Sequence, residues 1–238
     1  MTTPSSDPLV AAEGEVPAAE AGSVNSPTVV SHAATEATPA ASPPVRKRPK
    51  PGERRVQILQ TLASMLQQPG VDRVTTAALA AKLDVSEAAL YRHFASKAQM
   101  FEALIEFIEQ SVFTLVNQIA EREAGSSAQV QKMLTVLLQF GEKNPGMARV
   151  MVGDALVFEN ERLLQRMNQF FDRIESQLRQ GLRAAAEAAG SATPTADANA
   201  QASVLTAFAL GRLQRFARSG FKRSPTEHLD LALRLLLP

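Results

Sequence analysis

The stretch Thr75-Thr76-Ala77-Ala78-Leu79-Ala80-Ala81-Lys82-Leu83-Asp84-Val85-Ser86-Glu87-Ala88-Ala89-Leu90-Tyr91-Arg92-His93-Phe94, residues 75–94, decides the fold. Leu79, Ala80 and Leu83 recur at helical spacing, and after Asp84-Val85 come Leu90 and Phe94 at i, i+4. Small and apolar residues at those positions let two short helices cross over a tight turn. The stretch therefore predicts a helix-turn-helix, with helices over 76–83 and 87–93. Ser86 stands where an N-cap oxygen is needed, and Glu87 behind it suits the positive end of the helix dipole. With Leu90 and Phe94 turned inward, Glu87, Ala88, Tyr91 and Arg92 fall on the outer side. Ala88 and Ala89 are small enough for a close approach to a DNA groove floor, where thymine methyls are within reach. Thr75 and Thr76 offer hydroxyls and amides to a phosphate, and Tyr91, His93 and Lys97 do so from the other side. The candidate DNA-contacting set is thus Thr75, Thr76, Ser86, Glu87, Ala88, Ala89, Tyr91, Arg92, His93 and Lys97. Two plainer roles stay open: a helix cap for the threonine pair, and a core position for Tyr91.

Charge supports a polyanion partner. The chain of 238 residues has a net charge of only +1, but unevenly spread. Residues 1–45 carry five acids and no Lys or Arg, whereas residues 46–100 carry ten Lys and Arg against four acids. The excess of positive charge therefore coincides with the helix-turn-helix and its approach. Residues 1–53 hold nine of the fourteen prolines and no Phe, Trp or Tyr, so they predict a disordered tail. Its end, Arg46-Lys47-Arg48-Pro49-Lys50, is either a solubilising cluster or an arm laid along DNA phosphates. Its place directly before the reading unit favours the arm.

Beyond the tail the pattern is helical nearly throughout. A first helix over 54–67 carries Val56, Leu59, Leu62, Ala63 and Leu66 on one face, and Pro69-Gly70 ends it. Ser96 caps a long helix to Glu123, and the next runs to Lys143, stopped by Asn144-Pro145-Gly146. Further helices are expected over 147–157, 159–189, 200–219 and 226–237, with 190–199 as a linker. The fold class is all-α: an N-terminal three-helix DNA-binding domain over 54–97, and a C-terminal helical dimerisation and partner-binding domain over 98–238.

The residues Thr76-x-x-Leu79-Ala80-x-x-Leu83-Asp84-Val85-Ser86-x-x-x-Leu90-Tyr91-x-His93-Phe94-x-x-Lys97 resemble the DNA-binding signature of the TetR family of dimeric regulators. The family favours Gly in the turn where this chain has Asp84, and Asp tolerates a left-handed backbone. Further blocks, among them Phe140-Gly141-Glu142-Lys143-Asn144-Pro145-Gly146 and Ala155-Leu156-x-Phe158-Glu159, are similar to the nucleoid occlusion factors within that family. That resemblance implies a cytoplasmic, nucleoid-associated homodimer on palindromic double-stranded DNA, with one or more dimers per site. It also implies that the DNA-bound protein engages the C-terminal tail of the tubulin-like division protein FtsZ and keeps division rings off the nucleoid. Carried onto this chain, the FtsZ-contacting residues are Phe107, Lys143 and Asn144. From spacing alone Phe107, within Ile105-Glu106-Phe107-Ile108, reads as a core residue by default.

The late helices carry two apolar stripes. Leu163, Met167, Phe170, Ile174 and Leu178 form one, and Phe208, Leu213 and Phe216 belong to the other. These are expected at a four-helix dimer interface, since two reading helices about one DNA turn (~34 Å) apart are needed for a palindrome; burial within one chain is the alternative. A rival reading is a TetR-type repressor released from DNA by a small molecule, with Met133, Met147, Met151 and Phe158 around a cavity. No cofactor or metal is expected. There is no cysteine, and the three histidines, His32, His93 and His228, lie far apart. No Gly-rich phosphate loop or metalloprotease motif occurs, so an enzyme is not expected.

Overall fold

A computed structural model describes residues 52–68, 70, 73–123 and 127–237. The tail expected over 1–53 lies outside these apart from Gly52 and Glu53, and so does the basic arm. Among the described residues the regular structure is helical: α1 (Glu53–Leu66), α2 (Thr76–Leu83), α3 (Glu87–Tyr91), α4 (Lys97–Arg122), α5 (Ser127–Lys143), α6 (Pro145–Met151), α7 (Glu161–Ala188), α8 (Pro194–Arg218) and α9 (Leu229–Leu236), with a 3₁₀ turn at Asp154–Leu156.

Capping explains the boundaries around the helix-turn-helix. The hydroxyls of Thr75, Ser86 and Ser96 accept from the amides of Ala78, Ala89 and Gln99, closing the first turns of α2, α3 and α4. Asp84 ends α2 in the left-handed region, at φ 55°, as expected of its place in the turn. Val85 then donates to the Ala80 carbonyl at 3.1 Å.

Three expectations change. The buried side chains of α1 are Ile58, Leu62 and Leu66, spaced i, i+4, i+8, while Val56 is exposed and Leu59 and Ala63 are half-buried. The helix carries two apolar stripes, and the expected face merged parts of both. The helix expected over 147–157 ends at Met151, because Gly153 turns left-handed at φ 79° and a β-carbon there would meet the Leu164 side chain at 2.8 Å. The linker expected over 190–199 is largely the start of α8, with Pro194 in its first turn, where a missing N–H costs nothing.

The core runs through the bundle. On its inner faces α4 buries Phe101, Leu104, Ile105, Ile108 and Val112, and α5 buries Val130, Leu134, Leu137 and Leu138. The rings of Phe113 and Phe170 meet edge to face at 5.3 Å, joining α4 to α7. The most extensive helix pairing is α7 on α8. The reading unit is fixed to this bundle through α1 on α6. Arg149 of α6 is buried, donating to the Leu66 carbonyl at 3.3 Å and to Asp154 at 2.7 Å.

Candidate nucleic-acid interface and partner groove

The helix-turn-helix displays most of the expected residues outward. Glu87, Ala88, Tyr91, Arg92 and His93 are exposed, and Ala89 is half-buried. Tyr91 is 45% exposed, so its ring belongs to the surface and not to the core. Beneath it Leu79, Ala80, Leu90 and Phe94 are buried. The hydroxyl of Thr75 is engaged as the α2 cap, and Thr76 Oγ1 donates to Glu87 Oε2 at 2.6 Å, stapling the start of α2 to α3. Ser86 likewise caps α3. These three side chains build the reading surface, and their backbone groups remain at its edge.

Lys97 sits differently from its expected place among the phosphate contacts. Its ammonium pairs with Glu159, the two side chains being only 17% and 9% exposed, and it lies 5.6 Å from the Phe101 ring. It joins the start of α4 to the segment before α7. Arg166 makes a two-pronged contact with Glu109 further along, at 3.1 and 2.7 Å, and this hydrogen-bonding raises its pKa above the ordinary arginine value.

A residue missed in the sequence sits at the centre of the reading unit. Arg55 donates from Nη1 to the His93 carbonyl at 2.7 Å, and its guanidinium lies 4.0 Å above the Phe94 ring. It therefore ties α1 to the end of the reading helix by a charged hydrogen bond and a cation–π contact. Only its membership of the basic run Arg54-Arg55 hinted at it.

The three residues expected to meet a protein partner come together. Phe107, Lys143 and Asn144 line one groove of 510 Å³, with Val56, Leu59 and Gln60 of α1 forming the facing wall. Phe107 is 48% exposed, so it is not core; the Phe140 ring supports it at a centroid distance of 6.4 Å. Asn144 is held by its amide donating to the Phe140 carbonyl at 2.8 Å. The groove is apolar along its walls and has the exposed Lys143 at its α5 end. One wall belongs to the reading unit and the other to the helical bundle.

The residues expected at the dimer interface are already covered within the single chain. Leu163, Met167, Phe170, Ile174, Leu178, Leu213 and Phe216 are buried inside the single chain, and Phe208 is half-buried beneath Arg212. The reason is that α7 and α8 pack on each other and on α4 and α5, so these stripes are already covered. The large apolar side chains left exposed on the same two helices are Leu164, Val204 and Leu210. The residues named for a ligand cavity do not converge either: Met133, Met147 and Met151 are buried, and Phe158 lies on the surface.

Comparison with known proteins agrees with this geometry. Residues 58–104 match the family of bacterial regulatory proteins, tetR family, and residues 126–237 match the tetracyclin repressor-like, C-terminal domain family of the SlmA type. By fold, the chain is similar to the regulator FadR from Bacillus subtilis in complex with stearoyl-CoA, with a TM-score of 0.60 and 14% identity over 76% of this chain and 97% of that one. It is also similar to PfmR from Thermus thermophilus, with a TM-score of 0.62 and 19% identity over 77% and 95%. By sequence it is 51% identical over 178 residues to the nucleoid occlusion factor SlmA of Salmonella dublin, covering 74% of this chain and 89% of the relative, and equally so to that of Salmonella paratyphi B. With a TetR-type reading unit, a matching C-terminal domain and that identity over most of its length, the chain belongs to the SlmA family of nucleoid occlusion factors.

Proposed function

We propose that the chain reads palindromic chromosomal DNA as a homodimer and, on DNA, holds the C-terminal tail of FtsZ in the groove between α1 and α4–α6, keeping division rings from assembling over the nucleoid. The observation that carries this is an exposed phenylalanine, Phe107, in an apolar groove ending at an exposed cation, Lys143. An apolar groove takes the side chains of a short peptide, and a cation at its end attracts an acidic one. The shared wall supports the dependence on DNA. Arg55 connects α1 to the reading helix, so an α1 held by bound DNA presents Val56, Leu59 and Gln60 in one fixed position. In this reading residues 54–97 form the DNA-binding domain and 98–238 the dimerisation and partner domain.

The DNA contacts are assigned to Ala88, Ala89, Tyr91, Arg92 and His93 on the outward face, with the backbone at Thr75, Thr76 and Ser86 meeting phosphates. The dimer surface is assigned to the outer faces of α7 and α8, where Leu164, Val204 and Leu210 remain uncovered. Fluorescence anisotropy with a labelled FtsZ tail peptide, measured on the chain bound to a palindromic duplex, tests the groove. Phe107→Ala and Lys143→Ala are each expected to weaken binding at least about tenfold, the scale of a truncated interface anchor. Unchanged affinity in both variants would move the partner site elsewhere.

A further inference from the structure

The turn that follows α8 is built, not loose. Gly220 and Phe221 stand consecutively in the left-handed region, at φ 62° and 65°, and a phenylalanine there is strained. Three contacts hold it. The Phe221 amide donates to the Phe216 carbonyl at 3.0 Å, the two rings meet at 5.2 Å, and Ser219 Oγ accepts from the amides of Lys222 and Arg223 at 3.1 and 3.0 Å. The next residues are pinned to α5: Ser224 Oγ and Thr226 Oγ1 both donate to Glu142. This construction presents Arg215, Arg218, Lys222 and Arg223 together, all exposed. Among the described residues no side-chain hydrogen bond or ion pair engages any of the four. Two acids of the adjoining elements are occupied, Glu142 by the two hydroxyls and Asp154 by Arg149. Arg215 and Arg218 suit the negative end of α8 in any case. Lys222 and Arg223 lie beyond the helix and have no such reason.

Two pairs of neighbouring residues link this cationic shelf to the groove. Lys143, at the groove's end, follows Glu142, which anchors the turn. Gln67 lines the groove, and its neighbour Gln68 lines a smaller hollow shared with Arg218, Gly220 and Phe221. We propose that the shelf of Arg218, Lys222 and Arg223 extends the groove, so that the peptide bound there carries an acidic stretch flanking its apolar segment. The inference rests on the groove reading above. It adds a requirement on the partner that the groove alone does not impose: an apolar anchor for Phe107 and, several residues away, clustered carboxylates.

The test uses the full chain, saturated with a palindromic duplex recovered by selection, and labelled FtsZ tail peptides extended at either end by six Glu or six Gln residues. At low salt one Glu-extended peptide is expected to bind about threefold to tenfold tighter than its Gln counterpart, the range for a few exposed charge pairs. Lys222→Gln with Arg223→Gln is expected to erase that difference and leave the Gln-extended peptide's affinity unchanged. Equal binding of Glu and Gln peptides at both ends, or an advantage that survives the double variant, would overturn the shelf while leaving the groove intact. Failure of every peptide to bind would overturn both. A double variant that instead loses affinity for random-sequence duplex, with no change toward peptides, would mark the shelf as a DNA surface and overturn its assignment to an acidic peptide.

Discussion

The carbonyl oxygen of Ala63 closes so tightly on Gly146 that a β-carbon at Gly146 would stand 2.1 Å from it. This contact sets the approach of α1 to α6, and so the spacing of the groove walls. Backbone cannot yield as a side-chain tip can. Gly146→Ala is expected to cost about 1–3 kcal/mol of stability and to weaken tail-peptide binding. Thermal unfolding and peptide anisotropy check this together; an unshifted melting temperature would mean that α1 is not seated there.

Arg55 joins α1 to the reading helix through the His93 carbonyl and the Phe94 ring. Arg55→Ala is expected to lower stability by about 1–2 kcal/mol and to reduce affinity for every duplex alike, because the position of α3 is loosened. Arg55→Lys should recover little, since an ammonium lacks the planar stacking face. Full recovery by Lys would leave only a charge effect.

The Lys97–Glu159 pair decides between two roles for one lysine. Both side chains are largely buried, so removing one partner strands the other charge. Lys97→Met alone is expected to cost about 1–3 kcal/mol, and Lys97→Met with Glu159→Leu to recover most of it. In the double variant the salt dependence of DNA binding should be unchanged. A slope lowered by about one would show that Lys97 meets a phosphate after all.

On the outer faces of α7 and α8, Val204→Asp with Leu210→Asp is expected to give a monomer by sedimentation equilibrium, with far-UV circular dichroism unchanged. Both positions are exposed in the single chain, so the charges should not disturb its core. A dimer that persists would place the interface on another face.

How much of this was legible in the sequence follows from the range of the interactions. The helix-turn-helix was legible because its determinants are local: the caps Thr75, Ser86 and Ser96, the left-handed Asp84, and the inward pair Leu90 and Phe94. The start of α8 at Pro194 was missed because Gly, Ser, Thr, Pro and Ala also compose linkers, and only packing against α7 resolves them. The stripes of α7 and α8 were seen, but periodicity does not say whether a stripe faces its own chain or another. Lys97 and Glu159 lie 62 residues apart, and no spacing rule connects them. Phe107, Lys143 and Asn144 came from resemblance; the facing wall of Val56, Leu59 and Gln60 required the fold.

In the proposed function, bound DNA turns this chain into an FtsZ-binding protein. This is tested most directly by co-sedimenting the full chain with FtsZ polymers, with and without a palindromic duplex recovered by selection from a random pool. The duplex is expected to lower the amount of pelleted polymer, and Phe107→Ala to abolish the effect without changing duplex binding. Equal pelleting with and without the selected duplex would contradict the proposed function.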